Sequence, residues 1–240
     1  MKLRIGLGVI VLSAFGASLA YGAGSVVDSK HNMNVVSAAN ADIQGRVCAF
    51  CHTPHHALDS NEADYNPLWS HTFTTQIFDE YQSPTLQGAN DAIDVLAGSS
   101  RLCMSCHDGA IAVDQHYSFA GNDLRTGDSW GEIAVAGDRS LTNDHPIGFD
   151  YALVGGSSNN TGTTPKAAVA GEDPEIRGTT TPLLADGGRT IADLMLDDGT
   201  GAMIMTCGSC HDVHDTYSVD TYFLVGKQDG SQICLTCHIK

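Results

Sequence analysis

Eight cysteines constrain this chain more than any other feature, because they fall into four pairs with one fixed spacing. Two residues separate the cysteines of every pair, and a histidine directly follows each second cysteine. The four motifs, numbered 1 to 4 in chain order, are Cys48–His52, Cys103–His107, Cys207–His211 and Cys234–His238. Histidine makes up only 11 of 240 residues, so four accidental placements of this kind would occur about five times in a million.

The C-x-x-C-H spacing predicts covalent attachment of haem at each pair. Two thiols can add to the two vinyl groups of one porphyrin, and the next histidine can then bind the iron as its proximal ligand. The sequence therefore predicts four haem c groups, attached through the thioether cysteines Cys48, Cys51, Cys103, Cys106, Cys207, Cys210, Cys234 and Cys237. The predicted proximal iron ligands are His52, His107, His211 and His238.

Three other uses of paired cysteines explain the pattern less well. Zinc ribbons also contain C-x-x-C pairs, but they do not require a histidine after every second cysteine. A thioredoxin-like redox pair would account for one motif and leave three unexplained. Disulfides within the pairs would be strained, and they would give the four histidines no role.

Seven further histidines are available for the four distal positions on the irons. An iron closed by imidazole on both sides has no free position for a substrate, which favours electron transfer over catalysis. His55 and His214 each lie three residues after a predicted proximal ligand. Three residues extend at most about 10–11 Å, which is too short to pass round a porphyrin edge. Each of these two histidines can therefore bind only the iron of a neighbouring haem.

Two more histidines are candidates for distal ligands. His31 lies well before motif 1, where an amino-terminal arm can fold back over a haem face. His145 precedes Pro146, which restricts it to an extended backbone and fixes the direction of its side chain. The remaining histidines are interpreted as solvent-facing or hydrogen-bonding side chains: His56, His116 and, as the reserve candidate for a ligand, His71.

Several strings occur in an order that carries a family resemblance: CHTPH at 51–55, PLW at 67–69, CMSCHDG at 103–109, HPIG at 145–148, CGSCHDVH at 207–214 and ICLTCH at 233–238. The set resembles the tetrahaem outer-surface cytochromes of metal-reducing bacteria, and is most similar to the OmcE-type extracellular cytochrome filaments. That resemblance implies a polymer of closely stacked haems, all with two histidine ligands. It implies that His55, in the CHTPH string, binds a haem iron of the adjacent subunit. It also implies His31, His145 and His214 as the other distal ligands.

The same resemblance implies an extracellular or outer-surface electron conduit with no enzymatic activity. Its expected partners are copies of itself, and redox-partner cytochromes or mineral surfaces that exchange electrons with it. A discrete periplasmic tetrahaem shuttle is the alternative. An enzyme with one open haem is a third hypothesis, against which the surplus of histidines weighs.

The first 22 residues are interpreted as a secretory signal peptide. Lys2 and Arg4 precede an uncharged run from Ile5 to Ala20, and small residues follow it. The run is short for a membrane span, although an uncleaved anchor is the alternative, and no second stretch is long and apolar enough to span a membrane. Cleavage changes the formal charge from −16 to about −18, which disfavours nucleic acid and anionic lipid as partners.

The ratio of haem to protein predicts the fold class. About 218 mature residues serve four haems, so the macrocycles must supply much of the apolar core, by the logic of metal-dependent domains. We expect one elongated domain over residues 23–240, made of irregular coil with short α-helices and few or no strands. Short helices are predicted at each motif, at Asn90–Leu96 and at Thr190–Leu196. Asp197–Gly199 is predicted to be a turn, with a calcium site as the alternative.

Overall fold

A computed structural model describes residues 26–55, 57, 67–83, 94–117, 119–127, 139–155, 175–184, 188–214 and 222–239. The predicted signal peptide, His56 and most of the predicted helix Asn90–Leu96 lie outside the described residues. None of the helices within the described ranges has the length and the apolar run that crossing a bilayer requires.

Irregular coil with short helices dominates the described chain, which confirms the predicted fold class. The α-helices are α1 (Ser99–His107), α2 (Tyr151–Gly155) and α3 (Gln232–Cys237). Short 3₁₀ turns cover Val26–Asp28, Met33–Val35, Val47–Phe50, Ile191–Leu194, Cys207–Ser209 and Asp229–Ser231. The strands β1 (Leu196–Asp197) and β2 (Met203–Ile204) form an antiparallel pair, with Leu196 opposite Ile204.

The predicted helices at the motifs are confirmed, since each motif lies on a 3₁₀ turn or on a short α-helix. The helix predicted at Thr190–Leu196 is shorter, and spans only Ile191–Leu194. Thr190 and Asp193 form a capping box at its start, but Met195 is already extended and Leu196 begins β1. Pairing of β1 with β2 therefore ends the helix earlier than its apolar spacing indicates.

Two other local predictions can be compared with the structure. The described end of Asn90–Leu96 is a turn, in which the Asp94 carboxylate accepts a hydrogen bond from the N–H of Leu96 (2.8 Å). The turn predicted at Asp197–Gly199 begins at the end of β1: Asp197 is the last residue of that strand, and Asp198 and Gly199 lie in the connection to β2. Its Asp198 carboxylate accepts hydrogen bonds from the N–H (2.8 Å) and the hydroxyl of Thr200. These hydrogen bonds explain why an acidic residue occupies position 198 of this turn.

Within the described ranges, the buried apolar residues form three small clusters instead of one core. The first contains Phe149, Tyr151, Val154, Ile176, Leu183, Ile191 and Met205, the second Phe78, Leu96, Met104 and Leu141, and the third Met33, Phe50, Val113 and Leu124. Each cluster includes or contacts residues of a motif: Cys210 and Cys237 pack on the first, Met104 belongs to the second, and Phe50 to the third. The packing is thus organised around the motifs.

A buried carboxylate supports the chain just before motif 1. Asp42 accepts hydrogen bonds from two guanidinium nitrogens of Arg46 (3.0 and 2.7 Å) and from the N–H groups of Gln44 and Arg46 (both 3.0 Å). The guanidinium of Arg46, followed by these N–H groups, holds the pKa of Asp42 well below its usual range. Because the pKa is lower in the folded state, the stabilising effect is present above the ordinary Asp pKa and is lost on acidification.

We expect Asp42→Asn to lower the free energy of unfolding by about 1–3 kcal/mol at pH 7, because the N–H donors lose a buried charged acceptor. Thermal unfolding of the haem-loaded protein, followed by circular dichroism, measures this difference. The gap between wild type and variant should shrink below about pH 4. Asp123→Asn is the matched control at the exposed pair with Arg125, with an expected effect under about 1 kcal/mol. An equal loss in both variants would contradict the prediction.

Candidate haem-binding site

The local backbone of each motif places its three functional side chains on one face. In motifs 1, 3 and 4 the N–H of the histidine donates to the carbonyl of the first cysteine, at 2.8, 3.0 and 2.9 Å. Motif 2 lies within α1. Residues three and four apart share a face of such a turn, so both thiols and the imidazole point to the same side. All eight thiols are free of disulfides, as attachment of a porphyrin requires.

The motifs lie close to one another. Burial raises the pKa of the Cys51 thiol and of the Cys106 thiol to about 12. The nearby Cys106 thiol of motif 2 also contributes to raising the pKa of Cys51, which places motifs 1 and 2 side by side. The hydroxyls of Ser100 and Ser99 in α1 accept hydrogen bonds from the N–H groups of Cys207 and Gly208 (both 3.0 Å), which joins motifs 2 and 3. An apolar cavity between motifs 3 and 4 is lined by Cys210 and Cys237.

Three of the predicted proximal histidines face a second imidazole. The ring centres are 6.1 Å apart for His107 and His31, 6.1 Å for His52 and His214, and 6.3 Å for His238 and His145. Two imidazoles on opposite sides of one metal have ring centres about 6.3 Å apart, given metal–nitrogen bonds of about 2.0–2.1 Å and ring radii of about 1.1 Å. The spacing of all three pairs therefore fits an iron between the two rings.

In several of these imidazoles, one ring nitrogen is hydrogen-bonded to a carbonyl, and the other nitrogen remains available to bind a metal. The Nδ1 atoms of His52 and His211 lie 2.7 Å from the carbonyls of Pro67 and Tyr222, and that of His145 lies 3.0 Å from the carbonyl of Pro146. Such a bond makes Nδ1 the donor and leaves Nε2 as the metal-binding atom.

His31 is held as a neutral imidazole. Burial, followed by the neighbouring His107 and His211, lowers the pKa of His31 to about 4. The neutral form is the one that binds a metal. Its ring also packs on Phe223, with ring centres 5.2 Å apart, so the amino-terminal arm is anchored beside motifs 2 and 3.

Motifs 1 and 3 are built as the same local structure. In each, a returning segment pairs with the histidine: Trp69 bridges to His52, and Leu224 to His211. Two residues before each bridging residue, the carbonyl of Pro67 or of Tyr222 accepts the hydrogen bond from Nδ1 of the motif histidine. The residue between, Leu68 or Phe223, has a positive φ of 56° or 58°, which turns the carbonyl toward the imidazole. His55 and His214 hold equivalent places in these two structures.

The two equivalent histidines have different surroundings within one chain. His214 faces His52 of motif 1, and not His211 three residues before it. His55 is exposed. Among the described residues, no imidazole faces His55 or His211 at a spacing like that of the three pairs. One predicted proximal ligand and one predicted distal ligand therefore stand without a counterpart in the described part of the chain.

Both ring nitrogens of His71 and of His116 lie near polar atoms of the protein. For His71, Nε2 lies 3.0 Å from the carbonyl of Ala112 and Nδ1 lies 3.3 Å from that of Thr72. For His116, Nδ1 lies 2.9 Å from the carbonyl of Asp114 and Nε2 lies 3.5 Å from the Asp42 carboxylate. Both side chains are buried and engaged in polar contacts, which suits a structural role.

Sequence reasoning missed the two carbonyls that orient His52 and His211. A backbone carbonyl carries no side-chain signal, and the only trace in the sequence is the matched C-x-x-C-H-x-x-H spacing of motifs 1 and 3. The described residues contain no group of three or more His, Cys, Asp or Glu side chains placed to hold a metal ion by themselves. Paired imidazoles beside paired thiols instead fit a haem, whose porphyrin supplies the other iron ligands.

Comparison with known families agrees with this chemistry. Residues 201–240, which hold motifs 3 and 4, match the doubled CXXCH motif family. No curated protein matches the chain. The matched pair indicates covalently bound haem c, the prosthetic group of electron-transfer cytochromes. By that motif, the chain resembles the multihaem c-type cytochromes, which bind haem and transfer electrons.

Proposed function

We propose that the chain carries four haem c groups and conducts electrons along them. The eight motif cysteines hold the porphyrins, and His52, His107, His211 and His238 bind the irons from one side. His214, His31 and His145 close the irons of motifs 1, 2 and 4. A haem iron with two imidazole ligands alternates between its ferric and ferrous forms and so carries one electron. The spacing of the three imidazole pairs is the observation that carries this proposal.

We further propose that copies of the chain join head to tail. The iron bound by His211 requires a second axial ligand. His55 is exposed and is available to bind an iron of another copy. His214 occupies the equivalent place in motif 3 and faces motif 1. By the same local structure, His55 of motif 1 serves motif 3 of the next copy. The partners are thus copies of the chain, and the last copy passes electrons to a redox-partner cytochrome or a mineral surface.

This proposal includes export to the outer surface after removal of residues 1–22, with residues 23–240 as one haem-cored domain. A polymer of this kind has use only where electrons must leave the cell. The high negative charge suits positively charged partners or mineral sites. The alternative, a periplasmic shuttle, would use the same four haems in single particles.

The purified mature protein should give four haems per chain in a pyridine haemochrome assay, with all ferric haem low-spin in the polymer. Cys103→Ala combined with Cys106→Ala should give three haems per chain, because one attachment site is removed. A count well below four in the wild type, or bound zinc in place of haem, would contradict the proposal. High-spin ferric bands in the intact polymer would point to an open iron and an enzyme.

A further inference from the structure

The segment Pro67–His71, called the bridging segment below, is bound to motif 1 through its backbone. The N–H of Thr53 donates to the carbonyl of Leu68 at 2.8 Å, and the N–H of Ser70 donates to the carbonyl of Cys51 at 2.9 Å. These two bonds lie on either side of Trp69. The backbone of Trp69 is therefore fixed relative to the thiol and the imidazole of motif 1.

Side chains of the same segment contact motif 2. The indole N–H of Trp69 donates to the hydroxyl of Ser105 at 3.2 Å, and that hydroxyl donates onward to the carbonyl of Leu102 at 2.7 Å. Ser105 lies in α1 between the two cysteines of motif 2 and is fully buried. His71, two residues after Trp69, places Nε2 3.4 Å from Sγ of Cys106. Both side chains therefore contact motif 2.

Trp69 also contacts an iron ligand of motif 1 directly. Its ring meets that of His52 edge-on, with ring centres 5.9 Å apart and planes at 90°. The edge-on arrangement is a favoured geometry for aromatic pairs. Only 8% of the residue is exposed, so the indole has little freedom to move. One rigid side chain thus connects the imidazole of motif 1 to the helix that carries motif 2.

We propose that Trp69 is a positioning residue that fixes the distance and relative orientation of the haems of motifs 1 and 2. The inference rests on the proposed function, since it requires both haems to be bound. Electron transfer between haems depends steeply on their separation, and a site is held to the needed geometry only when its supporting side chains are themselves locked. The buried hydrogen bond to Ser105 of motif 2 restricts the Trp69 side chain in this way.

Two variants remove this bond from opposite ends. Trp69→Phe keeps an aromatic ring and deletes the N–H, and Ser105→Ala deletes the acceptor. The readout is the Soret circular dichroism of the oxidised, haem-loaded full protein, where neighbouring haems give a bisignate signal that depends on their separation and orientation. We expect both variants to lose bisignate amplitude, and the double variant to lose no more than either one, because all three break the same contact. Four low-spin haems should remain.

Thr126→Val is the matched control, because it removes a buried hydroxyl that donates to the carbonyl of Cys106 (2.9 Å) in motif 2 and takes no part in the Trp69–Ser105 hydrogen bond. Its bisignate signal should equal that of the wild type. An unchanged signal in Ser105→Ala, or an equal loss in Thr126→Val, overturns the inference. If Trp69→Phe gives no folded protein, the comparison of Ser105→Ala with Thr126→Val decides. A wild-type haem count below four would contradict the proposed function instead, so the two failures are distinguishable.

Discussion

Replacement of His55 by alanine is expected to leave four haems on every chain while abolishing filament formation. The thioether cysteines and the proximal histidines are untouched, so attachment proceeds. The iron bound by His211 then has no second imidazole, because none faces His211 among the described residues of its own chain. One haem in four should change from low-spin to high-spin. Electron microscopy of the secreted protein and its ferric absorption spectrum measure the two effects.

The neighbouring histidine provides the control for this experiment. His56→Ala alters the adjacent side chain of the CHTPHH string and should leave both the filaments and the low-spin spectrum intact. Normal filaments from His55→Ala would count against a ligand that crosses between copies. Loss of filaments in His56→Ala alone would transfer that role to His56.

The second large effect is expected at motif 2. His31→Ala should convert the haem of motif 2 to a high-spin, five-coordinate form, because the ring that faces His107 at 6.1 Å is removed. The chain should still carry four haems, since attachment requires only the motif itself. Electron paramagnetic resonance of the ferric protein separates the expected high-spin signal, from one haem in four, from the low-spin remainder.

His71→Gln is the matched control for His31→Ala. Both histidines are largely buried and lie near motif 2, but His71 has a carbonyl oxygen within 3.3 Å of each ring nitrogen. A glutamine retains hydrogen-bonding capacity, and all four haems should stay low-spin. A high-spin signal from His71→Gln, together with an unchanged spectrum from His31→Ala, would make His71 the distal ligand.

Covalent haem attachment can be predicted from the sequence because its chemistry is local. Each C-x-x-C-H string contains both thiols and one imidazole within a single turn, so no tertiary contact is needed to place them. The spacing of three residues from His211 also limits His214 to the iron of a neighbouring haem, and in the structure its ring lies beside His52. Which haem it would meet depended on long-range packing, which no spacing in the chain specifies.

Other features were beyond the sequence because tertiary contacts decide them. The helix predicted from the spacing of Ile191, Leu194 and Met195 ends early, since β1 pairs with β2 immediately afterwards. The orientation of His52 depends on a carbonyl that is turned by a left-handed Leu68, and leucine gives no signal for that conformation. Ser105 reads as an ordinary motif residue until Trp69 is seen to contact it.

The three small apolar clusters have a consequence for how the cell must produce this protein. Each cluster is completed at a motif, so a chain without its porphyrins would have little to hold it together. If haems attach at all four motifs as proposed, newly made chains should remain open to proteolysis until every attachment is complete, and chains that lack haem would be degraded. The amount of mature protein should then follow the supply of haem to the attachment machinery, even when transcription is constant.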